Sequence, residues 1–133
     1  MKSKLDLGRR LVLTCEHAGN RIPTAWKAHF AKQGYKLQTH HGWDPGAMEL
    51  AKRLASDLKA PLHLTEWSRL LCDCNRDEDH PEVISEMIQH LSAAQKQSIL
   101  QNYHRPFRHK VAQQITDCIQ SNRSGVFHLS LHS

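Results

Sequence analysis

The sequence has no long apolar run, and this absence excludes several classes of protein. Nowhere do the roughly eighteen consecutive apolar residues of a membrane-spanning helix occur. The basic start, residues 1–10, lacks the apolar stretch of a secretory signal. Long blocks of one charge are missing too, although the net charge is +5. We therefore expect a cytoplasmic protein with no membrane partner, whose basic residues form a solvated surface rather than a face for nucleic acid.

The cysteine spacing of a zinc knuckle is absent as well. The four cysteines are Cys15, Cys72, Cys74 and Cys118, and the two in the middle are too close together for such a site. We predict reduced, mostly buried thiols, as in a reducing compartment. The length of 133 residues, with 39% hydrophobic and 23% charged residues, is typical of one globular domain spanning residues 1–133.

Strand-like and helix-like patterns alternate along the chain. Short apolar runs predict strands at 11–14, 62–66 and 126–131, the last of them central, with further short segments at 68–74 and 83–88. One helix is predicted at 25–32, ended by Gly34. Another follows a capping box of Ser92 and Gln95 and should be kinked or divided at Pro106. This order predicts an α/β fold of three layers, αβα, with a mostly parallel central sheet that looks truncated.

The clearest helix is expected after residue 46. Its apolar stripe consists of Ala47, Ala51, Leu54 and Leu58. Asp44 stands where an N-cap would be, with Pro45 at the first helical position, which is a favourable pairing. The sequence therefore predicts that Asp44 caps this helix.

Polar residues follow the first and the last predicted strand. Glu16 and His17 come after the first, and His132 and Ser133 come after the last. Ligands of open α/β sheets bind beyond the carboxyl ends of the strands, and a catalytic zinc usually keeps three protein ligands. Two interpretations stay open: the histidines and a carboxylate hold a metal, or each histidine is a hydrogen-bonded structural residue.

A second group of polar residues lies at 68–76. Arg69 and Arg76 stand at the two ends of a short apolar segment, and Asn75 adds a neutral donor. The planar fork of an arginine matches a carboxylate, so the two could hold an anionic substrate. Alternatively, they pair with the acids of the next loop, which are Asp77, Glu78 and Asp79.

Five ordered motifs resemble those of the N-formylglutamate amidohydrolase family. They are Leu-Thr-Cys-Glu-His-Ala-Gly-Asn-Arg-Ile-Pro at 13–23, His-Gly-Trp-Asp-Pro-Gly-Ala at 41–47, Ser-Arg-Leu-Leu-Cys-Asp-Cys-Asn-Arg at 68–76, Tyr-His-Arg-Pro-Phe-Arg at 103–108 and Leu-Ser-Leu-His-Ser at 129–133. The resemblance implies a fold similar to the zinc carboxypeptidases. It further implies hydrolysis of a small N-acyl amino acid, typically N-formylglutamate to formate and glutamate, by an N-terminal half of such a domain.

The resemblance also assigns roles to residues. His17 and His132 take the places of metal ligands for Zn²⁺ or another divalent metal, and Asp44 is the first choice for the third ligand, ahead of Glu16. The carboxypeptidases draw a third ligand from a glutamate at the position of Asn20, and a general base from beyond where this sequence ends.

For catalysis and substrate binding, the resemblance points to four residues. Asn75 and Arg76 resemble the pair that binds the substrate α-carboxylate. Arg69 could join them and could also stabilise the oxyanion. Glu16 is the substitute candidate for the general base. Two rival hypotheses are an inactive metal-binding or substrate-binding remnant of the family and a basic nucleic-acid-binding module.

Overall fold

Three parallel strands organise the chain in this computed structural model, which describes residues 7–122 and 125–133. Strand β1 (Leu11–Cys15) lies between β2 (Leu62–Leu64) and β3 (Phe127–Ser130). Leu13 of β1 is opposite Leu62 of β2 and Leu129 of β3. The three strands therefore end at the same edge of the sheet, where the loops that follow them meet.

The sheet is covered by a helix on each face, which confirms the three-layer α/β prediction. Helix α1 (Ala47–Leu58) packs on one face, where Ala47 and Ala51 contact Cys15, and Leu54 and Leu58 lie near Leu11 and Leu13. Because alternate strand residues point to opposite faces, the other face of β1 and β2 is left for the long helix α3 (Arg105–Ser121). There His63 of β2 bonds Gln114 of α3 at 3.2 Å.

The prediction that the last strand is central is wrong for the described part of the chain. β3 is an edge strand, and all four of its residues are exposed. β1 takes the central place, with all five residues buried, because it is bordered by a strand on each side and by helices above and below. β2 is also shorter than the predicted 62–66.

Asp44 does not cap α1, contrary to the prediction. The N-cap residue is Gly46, whose φ of 85° is in the left-handed region, and the helix has no capping hydrogen bond from a side chain. Pro45 therefore precedes the helix. The Asp44 carboxylate is directed instead toward His17 and His132, while its carbonyl accepts a bond from the Ala47 N–H at 3.1 Å.

The helix predicted at 25–32 is a longer 3-10 segment, Thr24–Gln38, that passes Gly34 and is kinked at Gln33. Phe30 is its one buried residue, so the segment lacks the apolar stripe that would hold a regular α-helix against the core. Residues 68–74 were predicted to be extended and instead form turns, with Leu71 N–H bonding the Ser68 carbonyl. Residues 83–88 likewise form turns that end in the 3-10 turn Glu86–Ile88.

The predicted division of the last helical stretch is confirmed. Helix α2 (Ala93–Ile99) begins with the capping box of Ser92 and Gln95, and a π-helical turn (Leu100–His104) joins it to α3. Pro106 lies in the first turn of α3, where its missing N–H costs nothing. All four cysteines are free and buried, also as predicted.

Within residues 7–122 and 125–133, no helix has both the length and the apolar character that crossing a bilayer would require.

The β1 core should dominate stability, and two leucines that face each other across the β1–β3 pair test this. Leu13 is 0% exposed and Leu129 is 46% exposed. We expect Leu13→Ala to lower the free energy of unfolding by about 2–5 kcal/mol, because it leaves a cavity in the core. Leu129→Ala, the matched control, should cost about 1 kcal/mol or less. Urea denaturation measures both, and equal losses would contradict the packing described here.

Candidate functional site

Three side chains converge at the edge where β1 and β3 end. The Asp44 Oδ2 atom lies 2.8 Å from His132 Nδ1 and 3.5 Å from His17 Nδ1. The two imidazole rings are 5.0 Å apart between centroids. One ligand atom from each of His17, Asp44 and His132 fits within 4.8 Å of the others, a spacing that a metal ion can bridge.

The backbone brings these three residues together. Thr14 of β1 is opposite Ser130 of β3, so His17 and His132 both follow parallel strands that end side by side. Asp44 comes from the loop before α1, and its N–H donates to the His17 carbonyl at 2.9 Å. His17 and Asp44 are buried, whereas the His132 side chain is 34% exposed, so the group opens to solvent on the β3 side.

The hydrogen bond of His17 to Asp73 decides which of its ring nitrogens carries the proton. His17 Nε2 lies 2.6 Å from Asp73 Oδ1. An ionised carboxylate only accepts, so Nε2 carries the proton and Nδ1 of the neutral ring has a lone pair. That Nδ1 is buried and has no hydrogen-bond partner among the described residues. Its lone pair faces Asp44.

A hydrogen bond to Ser130 orients the His132 ring, and Ser130 is in turn hydrogen-bonded to Glu16. Ser130 Oγ donates its single proton to Glu16 Oε2 at 2.6 Å. The same hydroxyl must therefore accept the hydrogen bond that joins it to His132 Nε2, which is 2.9 Å away. His132 Nε2 therefore carries a proton. Its Nδ1 atom lies 2.8 Å from Asp44 Oδ2; it donates to that carboxylate when the ring is protonated at both nitrogens and presents a lone pair when the ring is neutral.

The Nδ1 atoms of both rings thus face the same Asp44 oxygen. When both rings are neutral, two imidazole nitrogens and a carboxylate oxygen repel at these distances unless a cation, a proton or a metal ion, lies among them. Imidazole and carboxylate are also ligands that divalent zinc accepts, and both rings are held from behind by partners on the far nitrogen, as in protein metal sites. The residues present therefore fit a divalent metal.

The pKa of the Cys15 thiol reflects its burial and the negative charges around this site. Burial, followed by the charges of Glu16 and Asp44, raises the pKa of the Cys15 thiol to about 11. The site thus disfavours a further anion, and the same carboxylates favour a cation.

Asp73 is the residue that sequence reasoning missed. It stands inside the 68–76 motif, and its position there as an acid between apolar residues was the available signal. Its carboxylate holds His17 and also accepts from the Asn75 N–H at 3.0 Å and from Arg69 at 3.3 Å. Burial alone would raise the pKa of Asp73, but His17, Asn75 and Arg69 together lower it to about 2.

Arg69 and Arg76 meet at Asp73 instead of pairing with the acids of the following loop. Arg76 Nε lies 3.4 Å from Asp73 Oδ2, and Arg76 Nη2 lies 3.3 Å from Glu82. With Asp73, the two arginines line a cavity of about 370 Å³. Asn75 is exposed beside this cavity and does not line it.

The loop acids that might have paired with those arginines are bound by α3. Arg105 pairs with Glu78, and Arg108 Nη2 lies 2.7 Å from Asp77. His104, in the π-helical turn just before α3, approaches the Arg76 carbonyl at 2.7 Å through Nε2. The motif at 103–108 therefore fastens the loop that carries Asp73 and Arg76.

Glu16 lies beside His132, and both of its carboxylate oxygens are hydrogen-bonded to hydroxyl groups. Its two oxygens accept from Thr14 Oγ1 and Ser130 Oγ, each at 2.6 Å. Thr14 in turn accepts from His128 Nε2 at 2.8 Å, because its own proton is used. Glu16 therefore joins β1 to β3 through hydroxyl groups.

Fold and site together define an α/β protein with a two-histidine, one-aspartate group at the carboxyl edge of a parallel sheet. The model of the N-formylglutamate amidohydrolase family matches residues 9–133. The chain belongs to that family.

A gene product of Agrobacterium tumefaciens, known from its crystal structure, is similar in fold. It is 26% identical, with a TM-score of 0.82, and the similarity covers 98% of this chain and 54% of the other. The chain thus spans about half the length of this relative. No curated protein is significantly similar to the chain.

The pKa of Asp73 leads to a prediction for the metal-free protein. Because the folded value lies below the usual 3.8, ionised Asp73 stabilises the fold above about pH 4, and this stability is lost as the pH falls toward 2. We expect Asp73→Asn to cost about 2 kcal/mol at pH 7 and progressively less below pH 4. Urea unfolding with chelator present measures the difference, with exposed Asp79→Asn as the control. A difference that stays constant down to pH 2.5 would contradict this account.

Proposed function

We propose that the protein is a metal-dependent hydrolase that cleaves the amide bond of an N-acyl amino acid. The substrate suggested by the family is N-formyl-L-glutamate, with formate and glutamate as products. The observation that carries the proposal is the convergence of His17, Asp44 and His132, whose ligand atoms lie within 4.8 Å of one another, with His17 Nδ1 buried and without a hydrogen-bond partner among the described residues. Because the chain spans about half of its structural relative, the proposal concerns the activity of the whole protein.

His17, Asp44 and His132 would hold the metal, Zn²⁺ or another divalent cation. When bound, such a cation polarises a carbonyl oxygen and makes water more acidic. Asp73 orients His17, and Ser130 orients His132, so that each ring offers its Nδ1 atom. The partly exposed side of His132 leaves an approach for substrate and water.

Arg69 and Arg76 are proposed to bind the carboxylates of the substrate. Both are about one-third exposed, and both line the cavity beside Asp73, the residue that holds His17. Arg69 contacts Asp73 through Nη2 alone, whereas Arg76 contacts Asp73, Glu82 and His80, so most of the N–H donors that remain for an anion belong to Arg69. Arg69 could also stabilise the oxyanion, and exposed Asn75 would add a neutral donor from the rim.

Glu16 is proposed to position His132, in place of the general-base role expected from sequence. Both of its oxygens already accept from hydroxyl groups, and its nearest oxygen is 3.7 Å from His132 Nε2. These bonds leave a lone pair on each oxygen, but they hold the carboxylate against Ser130, whose hydroxyl bonds His132, and a positioning role follows from that contact.

A second candidate function is metal or substrate binding without turnover. The hydrogen bonds of Glu16 favour it, because they give this carboxylate a positioning role between Thr14 and Ser130. Binding of nucleic acid is disfavoured, since Arg69, Arg76, Arg105 and Arg108 are paired with acids. We also propose a cytoplasmic setting, with which the four buried thiols are consistent.

Metal analysis tests the ligand set. We expect one Zn²⁺ per chain after equilibration with the ion, and at least a hundredfold weaker binding in His17→Ala, Asp44→Ala and His132→Ala, because each loses one of three ligands. His109→Ala, an exposed histidine away from the site, is the matched control. Equal zinc affinity in the control and the three variants would rule out this centre.

Formate release from N-formylglutamate separates hydrolysis from binding. The zinc-loaded chain should release formate if it carries the activity, and Arg69→Met should then lower kcat/KM by at least tenfold through loss of charged hydrogen bonds. Stoichiometric zinc without formate would favour the binding function instead.

Glu16→Gln distinguishes positioning from base catalysis. An amide cannot accept at both atoms, so one hydroxyl contact is lost, and zinc affinity should fall about 10–100-fold, as for other partners of metal ligands. Competition with a chromophoric chelator measures this. Unchanged zinc affinity together with lost formate release would show that Glu16 is the base.

A further inference from the structure

We propose that a second cavity, here called the Phe30 cavity, binds an amphipathic carboxylate with an aromatic or aliphatic body. It lies between the 3-10 segment Thr24–Gln38 and the loop that carries Trp67, and its volume is about 500 Å³. It has no lining residue in common with the cavity beside Asp73. Its size is within the range of small-molecule sites, so it can hold a ligand of its own.

The inner surface of the Phe30 cavity is apolar. Phe30 and Ile22 are 2% and 7% exposed, and half-buried Leu37 and Trp67 complete the walls. Apolar and aromatic walls gain stability by covering the hydrocarbon part of a ligand. The cavity therefore selects for a ligand with a substantial apolar body.

The rim carries positive charge. Arg21 and Lys27 are exposed side chains that line the cavity, and no aspartate or glutamate is among its lining residues. The Arg21 guanidinium stacks over the Trp67 ring, 5.3 Å from its centroid, which leaves the N–H groups at its edge available. Two cations around an apolar floor are complementary to a ligand with an anionic head.

The rim is also held in place by backbone bonds. The Arg21 N–H donates to the Glu66 carbonyl at 3.0 Å, and the Ser68 N–H donates to the Arg21 carbonyl at 2.8 Å. These bonds run along both sides of Trp67 and join the loops that follow β1 and β2. A ligand would therefore meet a preformed charged rim and lose less affinity to ordering it.

Gly34 offers a way to close the cavity. It lines the cavity, a Cβ atom built on it meets nothing within 4 Å, and its φ is not positive. A larger side chain at this position can thus occupy the open volume without backbone strain.

Calorimetric titration with three ligands of one shape tests the proposal. The probes are 2-naphthoate, naphthalene-2-methanol and 2-naphthylmethylamine, which differ in the charge of the head group. We expect one naphthoate per chain, at least roughly tenfold weaker binding of the alcohol, and no binding of the amine. Amine binding equal to that of naphthoate, or no naphthoate binding at millimolar concentration, would overturn the proposal.

Variants locate the site. Gly34→Leu should abolish naphthoate binding, and Lys27→Met should weaken it about tenfold. Tyr35→Leu, next to Gly34 but outside the lining, and Lys52→Met on α1 are the matched controls and should bind as the wild type does. Unchanged binding in Gly34→Leu would overturn the location.

If Gly34→Leu does not fold, NMR of the wild type gives the same answer. The indole N–H signal of Trp67 should shift on titration with naphthoate, and that of Trp43 should not. A shift of Trp43 alone would place the ligand elsewhere and contradict the proposal.

Discussion

The parallel pairing of β3 with β1 is the constraint on which the site depends. This pairing sets Thr14 opposite Ser130, so that the chain leaves both strands at one edge with His17 and His132 side by side. A shift of one residue would turn Ser130 to the opposite face and move its hydroxyl away from Glu16. The register of this strand pair therefore decides the spacing of His17 and His132, which are far apart in the sequence.

In this region, hydroxyl groups and imidazoles donate hydrogen bonds to carboxylates. Glu16 accepts one hydrogen bond from a hydroxyl group on each of the two paired strands, and Asp73 accepts one from His17. At the centre, the Asp44 carboxylate lies within reach of the Nδ1 atoms of both histidines. A cation bound among these three atoms would compensate the negative charge that the neighbouring carboxylates concentrate there.

The sequence was a good guide to the layers and a poorer one to the loops. A short apolar run predicted β1, and a stripe of apolar residues predicted α1, because burial of these residues decides both elements. The edge position of β3 and the 3-10 form of Thr24–Gln38 could not be read from local pattern, since they depend on what packs against each segment. Asp44 shows the limit most clearly: its position before a helix predicted a cap, but attraction toward two histidines distant in the chain prevailed. Asp73 escaped notice because its partner lies 56 residues away in the sequence.

The π-helical turn at Leu100–His104 accommodates one extra residue between α2 and α3 without changing the direction of α3. Such a turn holds one residue more than regular winding, and its widened backbone lets buried His104 face the Arg76 carbonyl just before α3 begins. Because the wider turn absorbs that residue, removing it would restore an ordinary helix and leave α3 with nearly the same orientation relative to α2. Arg105 and Arg108 would keep their acids, and the loss would be confined to His104 and its contact with the Arg76 carbonyl.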